Sequence, residues 1–336
     1  MRTDDLDYPL PDSAVATVPA EPRDSARLLI DRGDRVEHGL VSELVTRELV
    51  RPGDVLVVND TRVLPARVRF RRSSGGSGEV LLLAPLHDGW WEALVRPSAK
   101  LRPGTTVAIA DDFEIEFGED LGDGRRMVRP VAADGLDAAL QRHGELPLPP
   151  YLGATTLDDP ERYQTTYSRR AASAAAPTAG LHLTHELLAS VQAAGVILAR
   201  VELVIGLGTF RPITVDDVED HVMHHESYAV APEVWEQIRN ADRVLAVGTT
   251  VVRTLESVAA TGELSGSTDL FIRPGFPWQV IDVLMTSFHL PRSSLLAMIE
   301  AFVGPRWREL YAVALHDGYR FLSLGDASWL TRSAVR

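Results

Sequence analysis

From residue 66 to about 130 the chain reads as six short runs of alternating character: Arg67–Arg71, Glu79–Ala84, Trp90–Val95, Thr105–Ala110, Phe113–Phe117 and Arg126–Val131. Turn signals separate them, among them Ser73-Ser74-Gly75-Gly76, Asp88-Gly89 and Asp123-Gly124. Alternation with a period of two puts the apolar side chains of each run on one face. Six such strands with little helix between them predict a small antiparallel β-barrel.

On either side the texture is α/β. Residues 54–58 (Asp-Val-Leu-Val-Val) form a buried-strand run that ends in Asn59-Asp60-Thr61-Arg62. After a Pro-rich hinge (Leu146-Pro-Leu-Pro-Pro-Tyr151), strand-like runs at Val196–Ile205, Val244–Val247 and Val280–Met285 each meet polar or glycine-rich residues. The last two lead into helical patterns, one with Val251, Val252, Leu255 and Val258, the other with Leu295, Leu296, Ile299 and Phe302 before Gly304-Pro305. The expected fold is therefore α/β: a mixed α/β main domain (1–64 and 147–336) interrupted by an inserted small antiparallel barrel (65–146).

Composition narrows the function. The chain of 336 residues has no cysteine, which excludes a thiolate nucleophile, disulfides and cysteine-ligated metal. No apolar run has the length of a membrane span and no signal-peptide core is evident at the start, so a cytoplasmic protein without membrane contact is expected. A net charge of −13 argues against charge-driven, non-specific nucleic-acid binding. A local basic patch is still visible: Arg67, Arg69 and Arg71 share one face of a strand, with Arg62 and Arg72 nearby. That face is either an RNA contact or an ordinary solvated one.

Candidate chemistry collects at strand ends and turns. Pro177 to Thr184 (Pro-Thr-Ala-Gly-Leu-His-Leu-Thr) sets His182 between a turn and a helix start, with Thr184 as the expected N-cap and Leu187, Leu188 and Val191 as the buried stripe. His182 is then either a loop residue or a titratable group beside free N–H donors. His289 follows another buried strand and is either a hydrogen-bonded core residue or a functional one. Gly248-Thr249-Thr250 opens a helix on which Arg253 and Glu256 follow at i+3 spacings. That face suits an amino-acid head group, or it is a capped helix with a surface salt bridge. Gly206-Leu207-Gly208 is no dinucleotide fingerprint, because Arg211 stands where a third glycine belongs, and no Walker lysine occurs. His221 and His225 have the spacing of a helical metal pair, but Val222 replaces the catalytic glutamate of such motifs and the surroundings read as loop, so no metal is expected.

These segments, taken in order, resemble the S-adenosylmethionine:tRNA ribosyltransferase-isomerases of the queuosine pathway. The resemblance is carried by Asp7-Tyr8 with Glu21-Pro-Arg-Asp24, Asn59-Asp-Thr-Arg-Val-Leu-Pro-Ala-Arg67, and Leu148-Pro-Pro-Tyr151 with Glu161-Arg-Tyr-Gln-Thr165. It continues through Ala176-Pro-Thr-Ala-Gly-Leu-His182, Gly206-Leu-Gly-Thr-Phe210, Gly248-Thr-Thr250 with Arg253-Thr-Leu-Glu256, and Thr268-Asp-Leu-Phe-Ile272 with Pro274-Gly275. Phe288-His-Leu-Pro291 and Tyr319-Arg-Phe321 with Gly325-Asp-Ala327 complete it, so the match spans nearly the whole chain.

The resemblance implies an α/β domain with an inserted barrel, and a reaction that consumes S-adenosylmethionine as co-substrate without a metal. The ribosyl portion passes to the aminomethyl group of a 7-deazaguanine wobble base in a tRNA anticodon stem-loop and is rearranged to give epoxyqueuosine, with release of adenine and methionine. On this reading His182, His289 and Asp60 are the catalytic candidates. Thr249, Thr250, Arg253, Glu256, Gly206, Gly208 and Thr209 are co-substrate candidates, Arg62, Arg67, Arg69, Arg71 and Arg169 are RNA candidates, and a monomer is expected. Five positions depart from the family pattern: Val204 stands where a histidine is usual, Glu202 adds a carboxylate on the same strand face, Ser287 stands in place of an asparagine, Ala172 in place of a glycine and Leu183 in place of a phenylalanine. These departures motivate two alternatives, a paralogue acting on a free deazapurine or nucleoside, and a catalytically silent binding protein.

Overall fold

The computed structural model describes residues 1–72, 75–98, 101–152, 157, 159–206 and 212–333. The chain divides into two compact units, Met1–Arg62 with Ala154–Arg170 and Ala176–Arg336, and Val63–Gly153 with Ala171–Ala175.

The first unit is built on a nine-stranded mixed sheet in the order Ser265–Thr268, Glu226–Ala229, Ile197–Leu203, Asp54–Asn59, Arg243–Val247, Val283–Ser287, Ala327–Thr331, Arg27–Asp31 and Val36–Leu40. Four adjacent strands, Ile197–Leu203 through Val283–Ser287, run parallel. Asp54–Asn59 lies at their centre and is buried at every position, which explains its continuous apolar run: both faces of such a strand are covered. The core includes Leu56, Val58, Leu245, Val247, Val283 and Met285, and Leu187, Leu188 and Val191 of helix His185–Ala193 pack into it.

Local signals set the helix ends. The Thr184 hydroxyl accepts the Leu187 N–H (3.1 Å), and the Ser293 hydroxyl accepts the Leu296 N–H (3.2 Å) at the start of helix Ser294–Val303. Helix Thr249–Thr261 begins after Gly248 and ends at Gly262, both with positive φ (92° and 78°). Five strands of this sheet, Arg27–Asp31, Val36–Leu40, Glu226–Ala229, Ser265–Thr268 and Ala327–Thr331, and two helices, Pro232–Arg239 and Trp307–His316, are additions to the sequence reading.

The second unit carries a seven-stranded antiparallel sheet in the order Gly144–Glu145, Arg67–Arg71, Ser77–Pro85, Trp91–Arg96, Arg125–Ala132, Phe113–Gly122 and Thr105–Ala110. All six expected strands are present. Bulges at Leu82/Ala84, Ala108/Ala110 and Arg126/Val128 interrupt the register and curl the sheet. Val68, Phe70, Val80, Val95, Ile115 and Phe117 are buried within it. The sheet is a curled half-barrel: among the described residues no ladder joins its two edge strands.

Candidate active site

Polar residues stand at or just past the carboxyl ends of three of the four parallel strands, Asp54–Asn59, Arg243–Val247 and Val283–Ser287, the edge where open α/β sheets hold their ligands. Asn59 ties two of these ends together. Its amide donates to Leu203 O (3.0 Å), and its carbonyl oxygen accepts from the N–H groups of Thr61 and Leu203 (3.2 Å each). The next residue, Asp60, is buried, and its carboxylate lies 3.5 Å from Arg169 Nε. Burial pushes the Asp60 pKa up, the Arg169 and Arg200 guanidiniums oppose that, and Glu202 adds to it. Glu202 itself is paired with Arg170 (Oε2 to Nε 2.8 Å).

His182 ends a short 3₁₀ turn, Thr178–His182, whose last four residues are all buried. Arg23 clasps this turn: its guanidinium donates to Leu181 O (3.1 Å), Gln164 O (3.0 Å) and Glu161 O (2.7 Å). His182 is 4% exposed, and its Nε2 is buried without a hydrogen-bond partner among the described residues. Burial pulls its pKa down to about 4, against the opposing pull of Asp326 and of a hydrogen bond with the Arg23 backbone. The imidazole is therefore neutral near pH 7, the form that can accept a proton. A small pocket beside it is lined by Ala20, Arg23, Arg162, Leu181, His182 and Ser323. Arg23 and Arg162 were not singled out from sequence; the Glu21-Pro-Arg-Asp24 and Glu161-Arg-Tyr motifs that contain them were the available signal.

His289 has a different environment. Its Nε2 lies 3.2 Å from the Thr286 hydroxyl, its N–H donates to Tyr311 Oη (3.0 Å), and its carbonyl accepts from Tyr8. Tyr8, Phe288, Tyr311 and Phe321 pack ring on ring around that backbone. Burial alone pulls the His289 pKa down to about 3, so it too is neutral. Of the two imidazoles, His182 is the one with a ring nitrogen buried without a partner among the described residues.

Helix Thr249–Thr261 carries the next group of candidates. Gly248 donates to Met285 O (2.8 Å) across the strand ends, and the hydroxyl of Thr250 is buried without a partner among the described residues. Arg253 and Glu256, expected to present a donor-and-acceptor face, are both engaged within the protein. Both are buried, and they do not pair with each other. Arg253 forms an ion pair with Glu226 and also reaches Leu270 O and Thr268 O (3.3 Å each). Glu256 is fully buried and accepts three backbone N–H groups, those of Gln279 (3.0 Å), Val280 (3.0 Å) and Ile281 (3.2 Å). A charge out of water must be matched by partners, and the protein supplies all of them here. Glu226 also accepts the Gly206 N–H (2.9 Å), so this ion pair holds the end of the Ile197–Leu203 segment. Glu226, read from sequence only as a neighbour of three histidines, is the residue missed; a lone carboxylate at the start of a strand was its only mark.

The remaining candidates divide. Gly206 lies at the strand edge, whereas Gly208 and Thr209 fall outside the described residues. Arg62 donates to Ser168 Oγ (3.1 Å) and pairs with Glu161. In strand Arg67–Arg71 the three arginines point away from buried Val68 and Phe70 as expected; Arg69 pairs with Glu145 (3.0 Å) and Arg71 is exposed. His221, His224 and His225 lie on a loop, and among the described residues no group of three or more His, Asp or Glu side chains is poised to hold a metal.

A mixed α/β sheet with its polar residues gathered at one parallel edge, and a curled antiparallel sheet in a second unit, describes a class of enzyme architecture. Residues 3–330 match the family described as queuosine biosynthesis protein, and the chain belongs to that family. It is 49% identical over 334 residues to the S-adenosylmethionine:tRNA ribosyltransferase-isomerase of Rubrobacter xylanophilus, with 98% of each chain covered. The enzyme of the same name from Heliobacterium modesticaldum is 46% identical over 338 residues (96% of this chain, 97% of that one). The crystal structure of an S-adenosylmethionine tRNA ribosyltransferase from Thermotoga maritima matches with a TM-score of 0.55 at 34% identity, covering 97% of this chain and 99% of that one.

Proposed function

We propose that this protein transfers and isomerises the ribosyl portion of S-adenosylmethionine onto the 7-aminomethyl-7-deazaguanine wobble base of tRNA, giving epoxyqueuosine and releasing adenine and methionine. The observation that carries this reading is identity of 49% across 98% of both chains with a relative of that name.

The chemistry asks for few groups. A sulfonium acidifies the adjacent 5′ carbon, and the neutral, unpartnered Nε2 of His182 suits removal of that proton. The attacking amine must be neutral, and adenine departs more readily when a ring nitrogen is protonated; His289 and Asp60 are the titratable groups proposed to serve these steps. The sulfonium supplies its own electrophilic activation, so the reaction calls for no metal. Thr249, Thr250, Gly206, Gly208 and Thr209 are proposed to take the methionine portion, with Arg253 and Glu256 holding the walls of that site. Arg62, Arg67, Arg69, Arg71 and Arg169 are proposed to meet the anticodon stem-loop, the first four flanking or lying in the inserted barrel domain (65–146). The α/β domain (1–64 and 147–336) carries the chemistry, and the enzyme acts as a cytoplasmic monomer.

The test is incubation with S-adenosylmethionine and tRNA bearing the aminomethyl deazaguanine, followed by mass spectrometry. Epoxyqueuosine in the tRNA with matching adenine and methionine is expected. Turnover only with the free base or nucleoside, or binding of both substrates without turnover, contradicts the reading.

A further inference from the structure

Among the described residues, buried side-chain polar atoms without a partner gather around the turn Thr178–His182. Five lie there, Thr165 Oγ1, Tyr167 Oη, His182 Nε2, Thr250 Oγ1 and Ser287 Oγ, while nitrogens of Arg67, Arg72 and Arg306 are buried without a partner elsewhere. A Cβ at Gly248 would lie 3.5 Å from Ala179 Cβ and 3.8 Å from Thr250 Oγ1, and Ser287 ends the strand that packs on the turn. Folded proteins satisfy nearly all buried polar groups, so a gathering of unsatisfied ones calls for a reason beyond stability.

Tyr167 is the most informative of them. Its ring lies in the core with Ala179 and Leu183. Its hydroxyl reaches so close to Gly180 that a Cβ there would stand 2.0 Å from the oxygen, with Thr165 Cγ2 at 3.1 Å on the same side. Gly180 is outside the left-handed backbone region, so it is the missing side chain, not the conformation, that this approach needs. A phenylalanine would fill the core as well and would leave no unmatched oxygen. Burial also raises the phenol's pKa, so it remains a neutral hydrogen-bonding group at any working pH.

The segment that carries Tyr167 runs beside Asp60. Arg169 N–H donates to Asp60 O (2.8 Å), and Arg200 Nη1 donates to Tyr167 O (3.2 Å). A carboxylate that accepts and a phenol that can donate or accept suit the neighbouring hydroxyls of a sugar. Resting on the function proposed above, we propose that the Tyr167 hydroxyl is a further substrate-contacting group, which together with Asp60 takes the sugar hydroxyls of the nucleoside sulfonium.

The experiment uses the full chain with Tyr167→Phe, and Thr165→Val as a second variant. Thermal unfolding, turnover, and calorimetric binding of S-adenosylmethionine and its 2′-deoxy and 3′-deoxy analogues are compared with wild type. Tyr167→Phe is expected to unfold at or above the wild-type temperature, to bind S-adenosylmethionine about tenfold more weakly, and to lose the wild-type preference over at least one deoxy analogue. Thr165→Val is expected to change binding in the same direction by less. Tyr167→Phe with lowered stability and wild-type binding and kinetics, or with undiminished discrimination between the analogues, overturns the assignment. A wild type inactive on tRNA overturns the functional reading and this assignment with it; an active wild type with an indifferent Tyr167→Phe removes Tyr167 alone.

Discussion

The first turn of helix Thr249–Thr261 and the two turns after it treat polar side chains in opposite ways. At the first turn the Thr250 hydroxyl is buried without a partner among the described residues, and the turn carrying His182 packs beside it. Further along, Arg253 and Glu256 are as deeply buried, yet Arg253 meets Glu226 and two carbonyls, and Glu256 meets three N–H groups. Both regions consist of polar atoms out of water, and only the second is balanced from within. The difference teaches how to sort buried polar residues near a sheet edge. On this helix the matched residues build walls, and the unmatched hydroxyl of Thr250 beside the His182 turn is left for a reactant.

Substitutions can break that comparison, and by effect on stability they rank as follows. Arg253→Met leaves the Glu226 carboxylate buried without its cation and is expected to cost about 3–5 kcal/mol in denaturant unfolding. Turnover in that variant should fall only with the folded fraction; a specific loss of S-adenosylmethionine binding in fully folded protein would return Arg253 to the ligand site. Glu256→Gln sets an amide NH₂ against backbone donors and is expected to cost about 1–3 kcal/mol, again with kinetics following the folded fraction.

Acid acts on the histidines. Both imidazoles are held neutral in the fold, His182 down to about pH 4 and His289 down to about pH 3, while an unfolded histidine titrates near 6.5. The unfolded chain therefore binds more protons in this window. The stability contributed by the neutral forms is complete above about pH 6.5 and is lost as the pH falls toward about 4 and then 3. Unfolding midpoints measured at about pH 7.5, 6 and 5 should fall in that order, and His289→Gln should flatten the fall. The smallest effect is expected of Val204→His, which restores the residue usual in the family at a half-buried strand end. Stability within about 1 kcal/mol of wild type and turnover within a few-fold are expected. A large gain in turnover would mean that the strand face bearing Glu202 is impaired here.

Local patterns explain what could be read in advance. The strands of the second unit were legible because alternation and Asp-Gly or Gly-Gly turns are short-range signals. Thr184 as a cap was legible for the same reason, since its partner Leu187 is three residues away. The placement of Asp60, Gly248 and His289 at strand ends followed from buried runs that stop at polar residues. The partners of Arg253 and Glu256 did not follow, because Glu226 and residues 279–281 reach them only through the fold, 27 residues away in the case of Glu226. Helical spacing suggested that Arg253 and Glu256 would face each other, and tertiary neighbours outcompeted that pairing. Strand Arg27–Asp31 was likewise hidden, since one of its neighbours is Ala327–Thr331 at the other end of the sequence.

The central claim is that the unmatched edge performs the chemistry, and His182→Ala measures it most directly. Adenine release from S-adenosylmethionine in the presence of substrate tRNA would be followed beside calorimetric binding of S-adenosylmethionine and thermal unfolding. The account predicts turnover lower by about 10²–10⁴-fold, with binding within a few-fold and the fold retained. Wild-type turnover in a folded His182→Ala protein would contradict it.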